Sequence, residues 1–442
     1  MRFLACLAVN KIKAMTENRI NSIIVGKPQK PIKTSISLPA SKSISNRLLI
    51  IKELSGKDLN ILNISKSDDT TLLNDLLLKI KETTVSESSD NTVELDTKNV
   101  GTIMRFLTSF LAIRPGNWML TGNERMKSRP IGELVDSLRS IGADISYLEN
   151  IGFPPLLIKG KNLQGGVIEI NAELSSQFIS SLLLIAPKLK NGLIIKVNGM
   201  ISSAPYIEMT IKILGNFGIN ISRFENKIEI RNQNYFPQNY EVEADWSAAS
   251  YWYEIVALSN KAEIFLTGLK KNSLQGDSRL AEIFKYLGVE TKYLEKGILL
   301  KKKNKFFKNI KIDFNDIPDL APAIIVSCAG LGIKGKFAGM KNLKIKESDR
   351  IFAIKTELKK IGFDLNETIK NKEWVLKLSS DNDVINQVNN IVFETYDDHR
   401  IAMAYAPLSI LYNSVTIINP NVVEKSYPNF WDHLKKAGFT IF

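Results

Sequence analysis

Five times along the chain, a stretch with apolar residues three and four apart gives way at a glycine to a stretch of alternating apolar and polar residues. The stretches are SLRSIGADISYLE (137–149), ILGNFGINISRFE (213–225), IFKYLGVETKYLE (283–295), ELKKIGFDLNE (357–367) and HLKKAGFTIF (433–442). The first spacing puts apolar side chains on one face of a helix, and the alternation puts them on one face of a strand. A glycine between them suits the left-handed residue that closes a helix. Gly142, Gly218, Gly288, Gly362 and Gly438 follow one another at intervals of 76, 70, 74 and 76 residues. A period near 70 predicts repeated α/β units. The helical pattern DTTLLNDLLLKI (69–80) runs into KETTVSE with no glycine and reads as a sixth, degenerate copy.

Six such units fill the chain, and three per domain agrees with its length of 442 residues. The expected fold class is α/β, with two domains of three repeated units each. The composition shift in NQNYFPQNYEVEADWSAASYW (232–252) places a crossing between domains near 240–246. The strand-like NSIIVG lies within 18–38, which is expected to join 244–442 in the C-terminal domain. Residues 39–243 form the N-terminal domain and 1–17 a tail, with Met15 as an alternative start.

Composition narrows the class. Hydrophobic residues at 44% and charged residues at 24% are ordinary for a soluble globular chain. No apolar run reaches about 18 residues, so no membrane span or membrane partner is expected. No small-residue cleavage pattern follows MRFLACLAVNKIKAM, which argues against a signal peptide. Cys6 and Cys328 make no disulfide framework and fit a reducing, cytoplasmic setting, with Cys328 read as a core residue. His399 and His433 cannot complete a zinc site with two isolated cysteines. The formal charge of +13 suits nucleic acid, small anions or plain lysine richness. The densest run, KKKNKFFKNIK (301–311), reads as a hairpin or strand with Phe306 and Phe307 packing. Nucleic acid is not the expected partner.

Several stretches combine small residues, a cation and a helix start. In SKSISNR, Ser41 or Ser43 can cap a helix whose free N–H groups attract anions, with Lys42 and Arg47 adding charge. The glycines of a nucleotide-binding P-loop are missing. In NVGTIMRF, Gly101 permits close approach of a ligand, and Arg105 follows. In NERMKSRPIG, Arg125, Lys127 and Arg129 crowd before Pro130, a candidate first helical residue. LSSQF and SAPY offer neutral hydrogen-bonding groups. In KIKESDRI, Lys346 and Arg350 fall on one face of a presumed helix, and Glu347 between them is expected to be ionised. In YDDHRIAMA, Asp397 and Asp398 cap a helix opened by His399 and Arg400. Asp319 in IPDLAPA and Lys425 in EKSYPNF read equally well as a cap and a surface lysine. Taken singly, each stretch also fits a capped helix with solvated charges. Together, at least five cationic helix mouths from both halves point to one cleft for phosphate and carboxylate groups.

These motifs, from LPASKSISNR to EKSYPNF and including QGDSR, resemble in order those of the 5-enolpyruvylshikimate-3-phosphate synthase family (3-phosphoshikimate 1-carboxyvinyltransferases). The resemblance implies the enolpyruvyl transferase-like inside-out α/β barrel in each domain. It implies transfer of the enolpyruvyl group of phosphoenolpyruvate to the 5-hydroxyl of shikimate 3-phosphate, through a tetrahedral intermediate and with release of phosphate. No metal or organic cofactor is implied, and a monomer is expected. Shikimate 3-phosphate would meet Lys42, Ser43, Arg47, Ser175, Ser176, Gln177, Ser203, Tyr206, Asp319, Asn342 and Lys346. Phosphoenolpyruvate would meet Lys42, Gly101, Arg125, Gln177, Arg350, His399, Arg400 and Lys425. Asp319 would take the hydroxyl proton, while Glu347 and Lys42 would serve the methylene carbon. Domain closure would exclude water. Phe106 stands where the family often has proline, and Ala204 where lysine is common. The alternatives are the sister transferase acting on UDP-N-acetylglucosamine, whose loop cysteine has no counterpart here, and an RNA-binding or RNA-end-processing protein.

Overall fold

The computed structural model describes residues 21–83, 91–171, 175–199, 202–368, 373–379 and 390–442. The expected tail with Cys6 and Met15, and most of KETTVSE, lie outside the described residues. Each of the five helix-closing glycines has a positive φ, from 76° at Gly362 to 97° at Gly142. At Gly142 the closure is complete: its N–H donates to Arg139 O at 2.9 Å, and Ala143 N–H donates to Leu138 O at 3.0 Å. Both bonds occupy carbonyls that the helix end leaves free.

The repeat extends to the sheets. Among the described residues, five four-stranded sheets share one plan: a parallel pair, then two antiparallel neighbours. In one of them Thr92–Asp96 runs parallel to Gly116–Thr121, which pairs antiparallel with Leu156–Gly160, which pairs antiparallel with Asp144–Tyr147. The helix Gly101–Ala112 makes the parallel crossover. The sheets from Gly166–Asn171 to Lys227–Ile230 and from Asn309–Asp313 to Trp374–Leu378 repeat this order. Two sheets take a strand from the start of the described chain. Ile32–Ser37 lies parallel to Ala262–Thr267, and Ser22–Gly26 lies antiparallel to Ser414–Ile418 and Thr440–Ile441. In the remaining unit the described sheet is only Ile61–Leu62 against Tyr240–Glu241.

Buried apolar side chains form two cores. One runs from Ala40 to Val242; the other joins Val25–Leu38 to Ala244–Phe439. Cys328 is fully buried in the second. Between them the chain crosses twice, side by side: Ser41 N donates to Glu243 O at 2.8 Å and Asp245 N to Pro39 O at 2.9 Å. The result is a two-domain α/β fold. No described helix is long and apolar enough to cross a membrane. Phe306 and Phe307 sit in the connection between Gly297–Lys302 and Asn309–Asp313; they stay 42% and 59% exposed, with Phe307 packed edge-on against Tyr286 and Phe306 beside the Lys302 ammonium.

Candidate active site

In a unit built on a parallel crossover, the helix starts at the carboxyl edge of its first strand, where open α/β sheets gather ligands. Among the described residues, eight helices bring their starts to one cavity, Asp68–Glu82 among them through Asp69. Lys42–Ser55, Gly101–Ala112, Ser176–Ile185 and Ala204–Asn216 come from the first core, and Trp246–Leu258, Arg350–Lys359 and His399–Tyr405 from the second. Helix starts carry partial positive charge and unpaired N–H groups. Ser41 caps the first helix by position but makes no side-chain cap bond, and Val100 cannot make one. Ser175 does cap its helix, accepting from Gln177 N at 3.2 Å, and the Gln177 amide donates to Thr102 Oγ1 at 3.0 Å.

The first-core wall is cationic, and no carboxylate forms an ion pair with its arginines among the described residues. Arg47, Arg105 and Arg129 are only 2%, 4% and 5% exposed, and none has a salt-bridge partner among the described residues. Arg47 donates to Thr210 Oγ1, Ser43 O, Ser180 Oγ and Tyr206 O, and its guanidinium lies 5.4 Å from the Phe106 ring centre. Burial lowers its pKa to about 10. Arg105 donates to Gly101 O and Pro130 O, and Arg129 to Asn99 O at 3.3 Å. Burial lowers the pKa of both; repulsion by Arg129 adds to the effect on Arg105, while Glu347 opposes the shift at Arg129. A buried guanidinium that lacks an anion is costly, so this wall is suited to an incoming phosphate or carboxylate. Gly101 belongs to the same arrangement: a Cβ there would lie 2.5 Å from Arg129 Nη2 and 2.9 Å from Arg105 Nη1. What requires the glycine is the approach of these guanidinium groups, where the sequence suggested the approach of a ligand. Lys42 is paired with Asp69 at 2.7 Å.

The second-core wall is a charge network. Arg350, 1% exposed, donates to Asp398 Oδ2 at 2.8 Å, Asp319 Oδ1 at 2.9 Å and Glu347 Oε2 at 2.8 Å. Arg400 Nη2 lies 3.0 Å and Lys346 Nζ 3.7 Å from the Asp319 carboxylate. Burial pushes the Asp319 carboxyl up, but Arg400, Lys346 and Arg350 outweigh it and hold it well below the usual range. Burial likewise pushes the Glu347 carboxyl up, but Arg350, Lys425 and Arg129 outweigh it and hold it well below the usual range. Burial, with Lys42 and Arg400 nearby, keeps His399 well below its ordinary value and therefore neutral. Both His399 ring nitrogens, Arg105 Nε and Arg129 Nε are buried with no hydrogen-bond partner among the described residues, and all three residues line the cavity. Burial also lowers the Lys346 ammonium.

Of the residues singled out from sequence, Ser43, Ser175, Ser176, Gln177, Ser203, Tyr206, Asn342, Lys346, Glu347, Asp319, Arg350, His399 and Arg400 line the cavity with Lys42, Arg47 and Gly101. Arg125 and Lys425 do not. Arg125 donates to the backbone carbonyls of Lys344, Lys346 and Glu347, and Lys425 Nζ to Asn99 O at 3.1 Å. Arg129, four residues on from Arg125, lines the cavity. Lys346 and Glu347 are not helical as expected: the helix begins at Arg350, because Asp349 caps it by accepting from Phe352 N at 3.0 Å. Asp398 caps the next helix, accepting from Arg400 N at 2.9 Å, whereas Asp397 accepts from Asn419 Nδ2. Pro130 stands two residues before the helix Gly132–Ser140 rather than inside it. Asp69, Asp245 and Tyr251 also line the cavity and carried no distinguishing signal in the sequence.

Fold and cavity together define a two-domain α/β enzyme whose substrates are anions. A family model described as EPSP synthase (3-phosphoshikimate 1-carboxyvinyltransferase) matches residues 26–434. The chain is 48% identical over 411 residues to a 3-phosphoshikimate 1-carboxyvinyltransferase of Bacteroides fragilis, covering 93% of this chain and 96% of that one. Against the protein of the same description from Buchnera aphidicola it is 37% identical over 428 residues, covering 92% and 95%. An EPSP synthase structure from Acinetobacter baumannii shares the fold, with a TM-score of 0.73 at 20% identity, covering 96% of this chain and all of that one. The chain belongs to the EPSP synthase family. It transfers the enolpyruvyl group of phosphoenolpyruvate to the 5-hydroxyl of shikimate 3-phosphate, in the shikimate pathway.

Proposed function

We propose that the cavity performs this transfer by dividing its two walls between the substrates and the protons. The carrying observation is the trio Arg47, Arg105 and Arg129, buried at the cavity with no ion-pair partner among the described residues. Two phosphorylated acids repel each other, and fixed cations in a site closed to water offset that repulsion while setting the attack geometry. Ser43, Arg47, Ser175, Ser176, Gln177, Ser203, Tyr206, Asn342 and Lys346 hold shikimate 3-phosphate. Lys42, Gly101, Arg125, Gln177, Arg350, His399, Arg400 and Lys425 hold phosphoenolpyruvate, and Arg129 on the cavity wall adds to its binding.

Asp319, ionised beside three cations, takes the proton of the 5-hydroxyl as its oxygen attacks the enol carbon. Lys42 gives a proton to the methylene carbon, which completes the tetrahedral intermediate. Glu347, a carboxylate in this setting, removes a proton from the resulting methyl group as the carbon–oxygen bond to phosphate breaks. The enol ether forms, the hydroxyl proton held by Asp319 leaves with the phosphate, and the proton on Glu347 replaces the one that Lys42 gave.

Residues 39–243 would form one domain and 18–38 with 244–442 the other. The two separate cores and the paired crossings at 39–41 and 243–245 support this division. A cytoplasmic monomer is the form in which we place the enzyme.

The test is a coupled assay for phosphate release. Release should require phosphoenolpyruvate and shikimate 3-phosphate together. Release with UDP-N-acetylglucosamine in place of shikimate 3-phosphate, or salt-dependent RNA binding with no release, would overturn the reading.

A further inference from the structure

The helix Arg350–Lys359 bonds the segment leading into His399–Tyr405 at two places seven residues apart, a spacing that keeps both on one helix face. At the cavity end, Arg350 donates to Asp398. Two turns on, outside the cavity lining, stands Glu357, a fully buried carboxylate that the reaction does not use. Its Oε1 accepts from the Tyr396 hydroxyl at 2.7 Å. Its Oε2 accepts from Glu394 N at 3.1 Å and from Lys360 Nζ at 2.7 Å. Lys360 Nζ also donates to Val392 O at 2.9 Å. The Tyr396 ring packs edge-on against Phe352 of the same helix. Burial, with the Glu357 carboxylate, keeps this phenol above its ordinary pKa, so it stays a donor.

The backbone that Glu357 grips is strained. Tyr396 and Asp397 have φ of 53° and 54°, a left-handed conformation in two successive residues that carry side chains. One such residue is uncommon, and a pair persists only where its surroundings over-determine it. Glu357 holds one side of this turn; Asn419 Nδ2 holds the other, donating to Asp397 Oδ1 at 2.7 Å. The next three residues are Asp398, which caps the helix and accepts from Arg350, and His399 and Arg400, which line the cavity. The left-handed pair therefore sets the direction in which the chain enters that helix.

We propose that Glu357 is the positioning residue for His399 and Arg400. It acts through the turn and not on a substrate. By bonding the Tyr396 phenol and the Glu394 amide, it holds the left-handed pair in place, and so fixes where the helix His399–Tyr405 begins and how Arg400 meets Asp319. A loosened turn would let Arg400 swing away from the anion. This inference rests on the proposed roles of His399 and Arg400.

Steady-state phosphate release and hydrogen exchange test it. Glu357→Gln keeps the size of the side chain but cannot accept on both arms. It should raise the KM for phosphoenolpyruvate at least about fivefold and lower kcat/KM for that substrate at least about tenfold, while the KM for shikimate 3-phosphate changes less than about twofold. Tyr396→Phe keeps the ring and removes one arm, so a smaller change in the same direction is expected. Combined with Glu357→Gln it should add less than it does alone, because the two residues act as one unit. A fall in kcat with both KM values kept would mean only less folded enzyme and would overturn the proposal, as would fully additive effects. The other readout needs no turnover. Hydrogen exchange of the folded protein should be faster across 394–400 in Glu357→Gln and unchanged across 42–55. Unchanged exchange at 394–400 would overturn the positioning role, whether or not the parent enzyme released phosphate; a parent that released none would count against the function proposed above instead. If Glu357→Gln fails to fold, Tyr396→Phe carries both readouts, with at least a twofold rise in the KM for phosphoenolpyruvate and faster exchange at 394–400 expected, and parent values overturning the role.

Discussion

The Tyr206 hydroxyl donates to Asp319 Oδ2 at 2.9 Å, joining a ring packed on the first core to the carboxylate at the centre of the second wall. Burial, reinforced by Asp277 and Asp319, keeps this phenol well above its ordinary pKa, so it remains a donor. The bond holds one Asp319 oxygen while Arg350 holds the other, and it forms only across the gap between the lobes. Hydrogen bonds to charged groups contribute about 1.5–3 kcal/mol. Tyr206→Phe should therefore lower kcat/KM for shikimate 3-phosphate about tenfold or more. Steady-state kinetics check this, and a change under twofold would remove the bond from the mechanism.

Gly101→Ala tests the packing of the anion-binding wall. The added methyl would meet Arg129 Nη2 at 2.5 Å and Arg105 Nη1 at 2.9 Å, too close for either guanidinium to stay. The backbone at Gly101 is helical and needs no glycine for its own sake. The expected outcome is a several-fold rise in the KM for phosphoenolpyruvate with little loss of thermal stability. A large drop in melting temperature with unchanged KM would instead make Gly101 a folding residue.

Asp277 gives a pH-dependent prediction. Burial, with repulsion from Asp319, pushes its carboxyl up to about 7, against the bond from the Ser247 hydroxyl and the charge of Arg400. An unfolded aspartate titrates near about 3.9. The native state thus binds this proton more tightly, and stability falls as pH rises from about 4 to about 7, by at most about 4 kcal/mol. Asp277→Asn removes that loss while keeping an acceptor for Ser247. Urea midpoints should show the variant more stable than the parent at pH 8, with the advantage shrinking toward pH 5. A constant difference across that range would contradict the shift.

The helix–glycine–strand repeat was legible because it is local: a helix closes on a left-handed residue wherever one is supplied, and all five glycines do so. The capping aspartate of the His399 helix was legible for the same reason. Sheet partners were not. That Ile36 lies opposite Leu266 depends on a pairing across more than 200 residues that no local pattern specifies. Arg125 and Arg129 show the limit most clearly. Four residues apart, they would share a face in a continuous helix. The helix ends at Lys127, so Arg129 turns into the cavity and Arg125 across to the other lobe. Lys346 and Glu347 were misplaced on a helix because Asp349, a strong cap, starts it three residues after Lys346.

The account depends on buried arginines that wait for an anion. Its most direct test is the Kd of phosphoenolpyruvate for the enzyme saturated with shikimate 3-phosphate, measured by titration calorimetry on the parent and on Arg129→Gln. Removing a buried, charge-assisted contact should weaken binding at least tenfold, with the shikimate 3-phosphate affinity changed much less. An unchanged phosphoenolpyruvate Kd would contradict the assignment of that wall to the anion.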